Sequence, residues 1–206
     1  MKNFSAASAD EKCPVVRRKN SDSIPFPLRR TAVLLFGLIF LSQIFCGAQE
    51  TPTEYQIKAA FVYNFVKFVE WPPQSFTSTN SPIIIGLLGK NVFGDNVEQA
   101  IRNKVINNRE LQFKVFQSVA EATNCNVLFV SASERRHYSE ILKAFRDRSI
   151  LTVSESDGSD DFIRDGGIIN FVIVDKHVRF QINDANARSV GLKISSDLLS
   201  IAIPAG

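Results

Sequence analysis

Residues 53–73, TEYQIKAAFVYNFVKFVEWPP, carry the reading from which the fold follows. Thr53 and Gln56 stand in a capping-box pattern, Pro52 precedes them, and neither Gly nor Pro interrupts the run before Pro72 and Pro73. The spacing predicts a helix of about five turns. Ile57, Phe61, Phe65 and Phe68 recur at four, four and three residues and share a face. Ala60, Val62, Tyr63, Val66 and Val69 widen the apolar arc, and Glu54, Lys58, Asn64, Lys67 and Glu70 supply a polar edge. Such a helix is too polar to span a bilayer and too apolar to lie open to water. It is expected to be buried against a sheet, with Phe61, Phe65 and Phe68 as core, or to keep part of its surface for a partner.

Upstream, residues 1–30 hold Lys12, Arg17, Arg18, Lys19, Arg29 and Arg30 with little hydrophobic periodicity. Thr31 to Phe45 then forms an apolar run of about fifteen residues, the length of a signal-peptide core and short of the roughly twenty that cross hydrocarbon. Cys46-Gly47-Ala48 offers small residues for a signal peptidase, so cleavage is expected after Ala48. This divides the chain into a leader and signal peptide, 1–48, and a single domain, 49–206. The leader carries seven of the 24 Lys and Arg and three of the 21 Asp and Glu, which leaves 17 basic against 18 acidic residues and a net charge of −1. The basic character therefore belongs to the leader, and nothing in the mature domain suggests nucleic-acid binding. The cut also leaves Cys125 as the only cysteine, so an exported domain of this kind must be held by its core.

Beyond the first helix, strand and helix alternate. Pro82 to Gly89 and Val127 to Val130 are continuous apolar runs of the kind buried on both faces of a sheet. Leu111 to Phe116 alternates, Ile150 to Val153 is a further strand, and Ser133 is placed to cap a helix from Glu134 to about Arg148. Short helices are expected near 95–104, 118–123, 160–165 and 184–190. Ile168 to Val174 and Val178 to Ile182 lie too close together for a crossover and predict a C-terminal β-hairpin. The expected fold is α/β: a mainly parallel sheet flanked by helices on both faces, three-layered and Rossmann-like, closed by that hairpin.

The sequence carries few groups fit for catalysis. His137 and His177 are the only histidines and cannot assemble a zinc set, no G-x-S-x-G elbow occurs, and no catalytic or cofactor constellation emerges. Gly86 to Gly94 sits where a strand hands over to a helix, a place where open α/β sheets bind ligands, but it matches neither a dinucleotide nor a Walker loop and reads first as turn glycines. The acidic stretch Glu155 to Asp161 lacks the spacing of a calcium loop and reads as solvated.

A set of ordered motifs runs through the mature chain: YQIKAAFVYNFVKFVEWP at 55–72, Leu88-Gly89, Phe93-Gly94-Asp95, CNVLFVSASE at 125–134, GGIINF at 166–171, RFQIN at 179–183 and LKISS at 192–196. In these the chain resembles the YfiR-like family of bacterial exported proteins, from about Glu54 to Ile201. The resemblance implies a periplasmic α/β domain that represses an inner-membrane diguanylate cyclase by binding its periplasmic sensor region, holding cyclic di-GMP and biofilm formation low. It also implies a homodimer, and it allows another sensory membrane protein as partner. Redox control through disulfides, used by some members, is not expected with Cys125 alone. Residues that a core does not need but the family pattern keeps polar are candidates for partner contact: Asn64, Lys67, Glu70, Ser131, Ser133, Glu134, Asn170 and Arg179, with Trp71 as an aromatic anchor. The competing reading is a small-ligand sensor whose crevice lies between Gly86–Gly94 and Ser131–Ser133.

Overall fold

The computed structural model describes residues 52–157 and 159–204, so the leader, the signal core and the cleavage site lie outside the described residues. Helix α1 spans Glu54–Phe68, and Thr53 and Gln56 form the reciprocal capping box expected of them. It stops a turn early because Val69–Glu70 enters a two-residue strand, β1, that pairs antiparallel with β9 at Lys193–Ile194. The remaining strands are β2 (Ile83–Leu88), β3 (Val105–Ile106), β4 (Arg109–Phe116), β5 (Val127–Val130), β6 (Leu151–Glu155), β7 (Ile169–Val174) and β8 (His177–Ile182). They form one sheet in the order β3-β4-β2-β5-β6-β7-β8. The five strands from β4 to β7 run parallel, while β3 and β8 join the two edges antiparallel. The architecture is thus a mixed α/β sheet, and the expectation of a mainly parallel, Rossmann-like fold holds only in that coarser form. The β7–β8 hairpin is present, turning on Asp175 and Lys176, both left-handed at φ 49° and 64°. The β3–β4 hairpin turns in the same way on Asn107 and Asn108 and had no strong signal in the sequence.

Strand alternation sorts the core into two layers. Ile83, Ile85, Leu87, Val127, Phe129, Leu151, Val153, Ile169 and Phe171 meet α1 and α2 (Asn96–Ile101) on one face. Leu128 and Val130 meet Tyr138, Ile141, Leu142 and Phe145, contributed by α3 (Tyr138–Ala144) and the residue after it, and Phe162 of α4 (Asp161–Arg164). Helices α5 (Asp184–Ser189) and α6 (Ser196–Ile201) close the chain. The helix expected from Glu134 to Arg148 is shorter and starts differently. Ser131, not Ser133, caps a 3₁₀ segment at Ala132–His137, and the α-helical part ends at Ala144. Cys125 is buried, and burial pushes its thiol up to about 12, which makes it inert.

Candidate functional site

The direction of α1 decides which residues meet. Near its N-terminus, Tyr55 and Lys58 reach Glu155 at the C-terminal end of β6. Just past its C-terminus, Trp71 donates from Nε1 to the carbonyl of Asn126, at the start of β5. The helix therefore lies antiparallel to the strands beneath it. At about 3.3 Å per residue, β5 sets Asn126 roughly 16 Å from Ser131. The residues expected to form one patch are consequently divided between the two ends of the sheet.

At the N-terminal strand ends, Lys67 and Glu70 are exposed, Asn64 is half-buried, and Lys67 Nζ lies 5.6 Å from the ring centres of both Tyr63 and Phe68. Trp71 is half-buried and its indole N–H is already used to hold Asn126. Beside it, a cavity of about 300 Å³ is lined by Glu70, Trp71, Phe76, Asn107 and Arg109 among others. Arg109 lies 3.7 Å from the Phe76 ring centre and donates to the carbonyls of Ser78 and Ser81.

At the C-terminal ends, Ser131 is buried and accepts from the Ser133 amide, and Ser133 Oγ accepts from the Lys90 amide at 3.0 Å. Gly89 has φ +94°, and a Cβ there would stand 2.6 Å from Ser133 Oγ and 2.8 Å from Glu134 Cγ. Ser133 thus ties the turn after β5 to the turn after β2, the two segments between which the competing reading places a ligand crevice. Gly89→Ala should accordingly cost about 1–3 kcal/mol through combined backbone strain and overpacking, measured by urea denaturation. An unchanged midpoint would show that the two turns are not locked together.

Asn170 and Arg179 lie elsewhere. Asn170 is fully buried on β7, where it donates to Ser156 Oγ and Gln181 Oε1. Arg179 is exposed on the edge strand β8, opposite Val172.

The densest charged constellation among the described residues was not foreseen. Lys58, expected on the polar edge, is 3% exposed, because the helix stripe that packs inward is Lys58, Ala59, Val62, Phe65 and Val66. Its ammonium lies 2.6 Å from Glu155 Oε2 and also bonds Glu54. Burial opposes its charge, but the hydrogen bonds it donates to Glu155 and Glu54 outweigh that cost and hold the ammonium above its ordinary range. Alongside, Arg135 donates to Asp157, Ser159 and Asp161 at 3.1, 2.7 and 2.8 Å, tying the turn after β5 to the acidic loop after β6. Its bond to Asp161 raises the guanidinium and lowers that carboxyl. Ser154 Oγ donates to the Val130 carbonyl, so Tyr138 donates its hydroxyl proton to Ser154 at 2.7 Å. Together Glu54, Lys58, Arg135, Tyr138, Glu155 and Asp157 border a cleft of about 350 Å³. The available signal was positional: Lys58 stands four before Val62 and seven before Phe65, on their face of the helix.

The described residues form a mixed α/β domain whose charged cluster at Lys58, Glu155 and Arg135 is neutralised in pairs. No described helix is long and apolar enough to cross a membrane. The chain is a member of the YfiR/HmsC-like family, whose model matches residues 55–203. That family is periplasmic, regulatory and non-catalytic. No curated protein matches the chain.

Proposed function

We propose that this protein is exported, cleaved near Ala48, and binds the periplasmic sensor region of an inner-membrane diguanylate cyclase, repressing cyclic di-GMP synthesis and biofilm formation as a homodimer. The observation that carries this reading is the family match across residues 55–203, which spans nearly the whole domain that follows the signal-peptide pattern. Of the residues proposed for partner contact, Lys67, Glu70, Ser133 and Arg179 are exposed, and Asn64, Trp71 and Glu134 are partly so. Ser131 and Asn170 are buried and do not present their side chains to a partner. Deleting the gene in its own host should raise intracellular cyclic di-GMP several-fold, and plasmid-borne protein should restore it. An unchanged level on deletion would remove the cyclase as partner.

The cleft bordered by Lys58, Arg135 and Glu155 supports a second reading, a periplasmic small-ligand sensor working with another membrane signalling protein. It differs from the first in requiring a low-molecular-weight ligand that raises the Tm of the wild-type domain but not of Arg135→Ala.

A further inference from the structure

The sheet leaves one of its edges open over a length that a second strand can use. Ile84 and Leu88 turn their backbone groups toward β5, so Ile85, opposite Phe113, turns its own to β4 and is met there by Gln112 and Lys114, whose backbone groups face inward to β2. Phe113 and Val115 therefore turn their N–H and C=O groups outward. Strand β3 covers β4 only at Arg109 and Glu110, and none of these four outward groups has a hydrogen-bond partner among the described residues. Apolar side chains stand at both ends of the open stretch, with Val105 59% and Val115 41% exposed. Natural edge strands are usually shortened, bulged or covered, and this one is neither bulged nor covered from 112 to 116.

We propose that the outer edge of β4 is a docking surface for an extended, acidic segment of a partner protein, added as a further strand beside Gln112–Phe116. Charge and sterics select this occupant. Lys114 is exposed and forms no salt bridge among the described residues, so it presents an unmatched cation at the middle of the open stretch. A second copy of β4 fits poorly. β3 occupies the edge at 109–110, and the antiparallel pairing of two copies over 112–116 is centred on Lys114 and sets it against itself, whereas an acidic strand meets it with the opposite charge. A strand carrying Glu or Asp opposite Lys114 and an apolar residue beside Val115 satisfies both the charge and the exposed valine. Main-chain bonds to Phe113 and Val115 would supply affinity and the side chains selectivity. The hairpin that leads into β4 meets the segment that follows α1, since Asn107 and Arg109 line one cavity with Glu70 and Trp71. That the occupant is a protein rests on the regulator reading.

The test uses the purified domain and two synthetic nine-residue peptides of alternating Thr and Val, one with a central Glu and one with a central Lys. Amide exchange followed by NMR should slow at least tenfold at Phe113 and Val115 with millimolar Glu peptide and not with Lys peptide. Lys114→Glu should invert that preference. Val115→Pro should abolish protection while the domain stays folded, because a proline is tolerated where the N–H faces away from the ladder. No protection, equal protection by both peptides, or protection elsewhere on the domain overturns the proposal. Each of these outcomes holds whatever gene deletion does to cyclic di-GMP, so the two readings fail separately.

Discussion

Lys58→Met should destabilise the domain by about 3–5 kcal/mol, because it leaves the Glu155 carboxylate buried without its cation. Glu155 is only 8% exposed, and the hydroxyl of Tyr55, 3.4 Å away, is a weak replacement. Glu155→Gln in the Lys58→Met background should recover most of the loss, since removing the second charge removes the desolvation cost that the first substitution exposed. Chemical denaturation of the two single variants and the double variant measures the coupling directly. If Lys58→Met alone is neutral, the pair is solvated in solution and the cleft is wetter than its burial indicates. The pH dependence has a definite sign. The folded ammonium is held above its unfolded value, so its contribution is fully present below the unfolded pKa of about 10.4 and is lost as pH rises through the higher folded value. Between pH 7 and 9 the Lys58 contribution should be flat.

Phe65→Ala should cost a comparable amount, about 3–5 kcal/mol, for a different reason. The ring is fully buried and sits at the centre of an aromatic cluster, 5.5 Å from Phe171, 5.1 Å from Phe180 and 6.2 Å from Phe61. Its neighbours come from α1, β7 and β8, so a cavity there loosens the helix from the hairpin end of the sheet. Phe61→Ala should cost clearly less, because Phe61 is only partly buried and the truncated site opens toward water. Equal losses at the two positions in thermal or urea unfolding would contradict this ordering.

Lys58 departs from the exposed polar edge that its place in the sequence suggests, whereas Phe65 does not depart from the core. Periodicity correctly made α1 apolar and placed Phe65 in the core, and local capping chemistry fixed its start at Thr53. Its end was governed by a non-local event, the pairing of Val69 and Glu70 with Ile194 and Lys193, which lie more than a hundred positions away in the chain. The same contrast runs through the candidate site. A cap just after the buried strand is legible in the sequence, but the local pattern assigns it to Ser133 where Ser131 supplies it, because cap residues two positions apart look alike locally. Whether Ser133 and Glu134 faced a ligand or packed against Gly89 depended on the adjacency of β2 and β5.

The sequence by itself determined the signal-peptide pattern, the alternation of strands and helices, the hairpin after Gly167 and the family, since each of these is written in composition, period and ordered motifs. Only the tertiary structure decided that Lys58 is buried, that Trp71 and Ser131 stand at opposite ends of the sheet, and that β4 keeps an open edge. Burial of a charge requires a partner distant in sequence, here Glu155, and an open edge is a property of strand order. Neither quantity has a local signature, because both are set by which strands the fold places side by side.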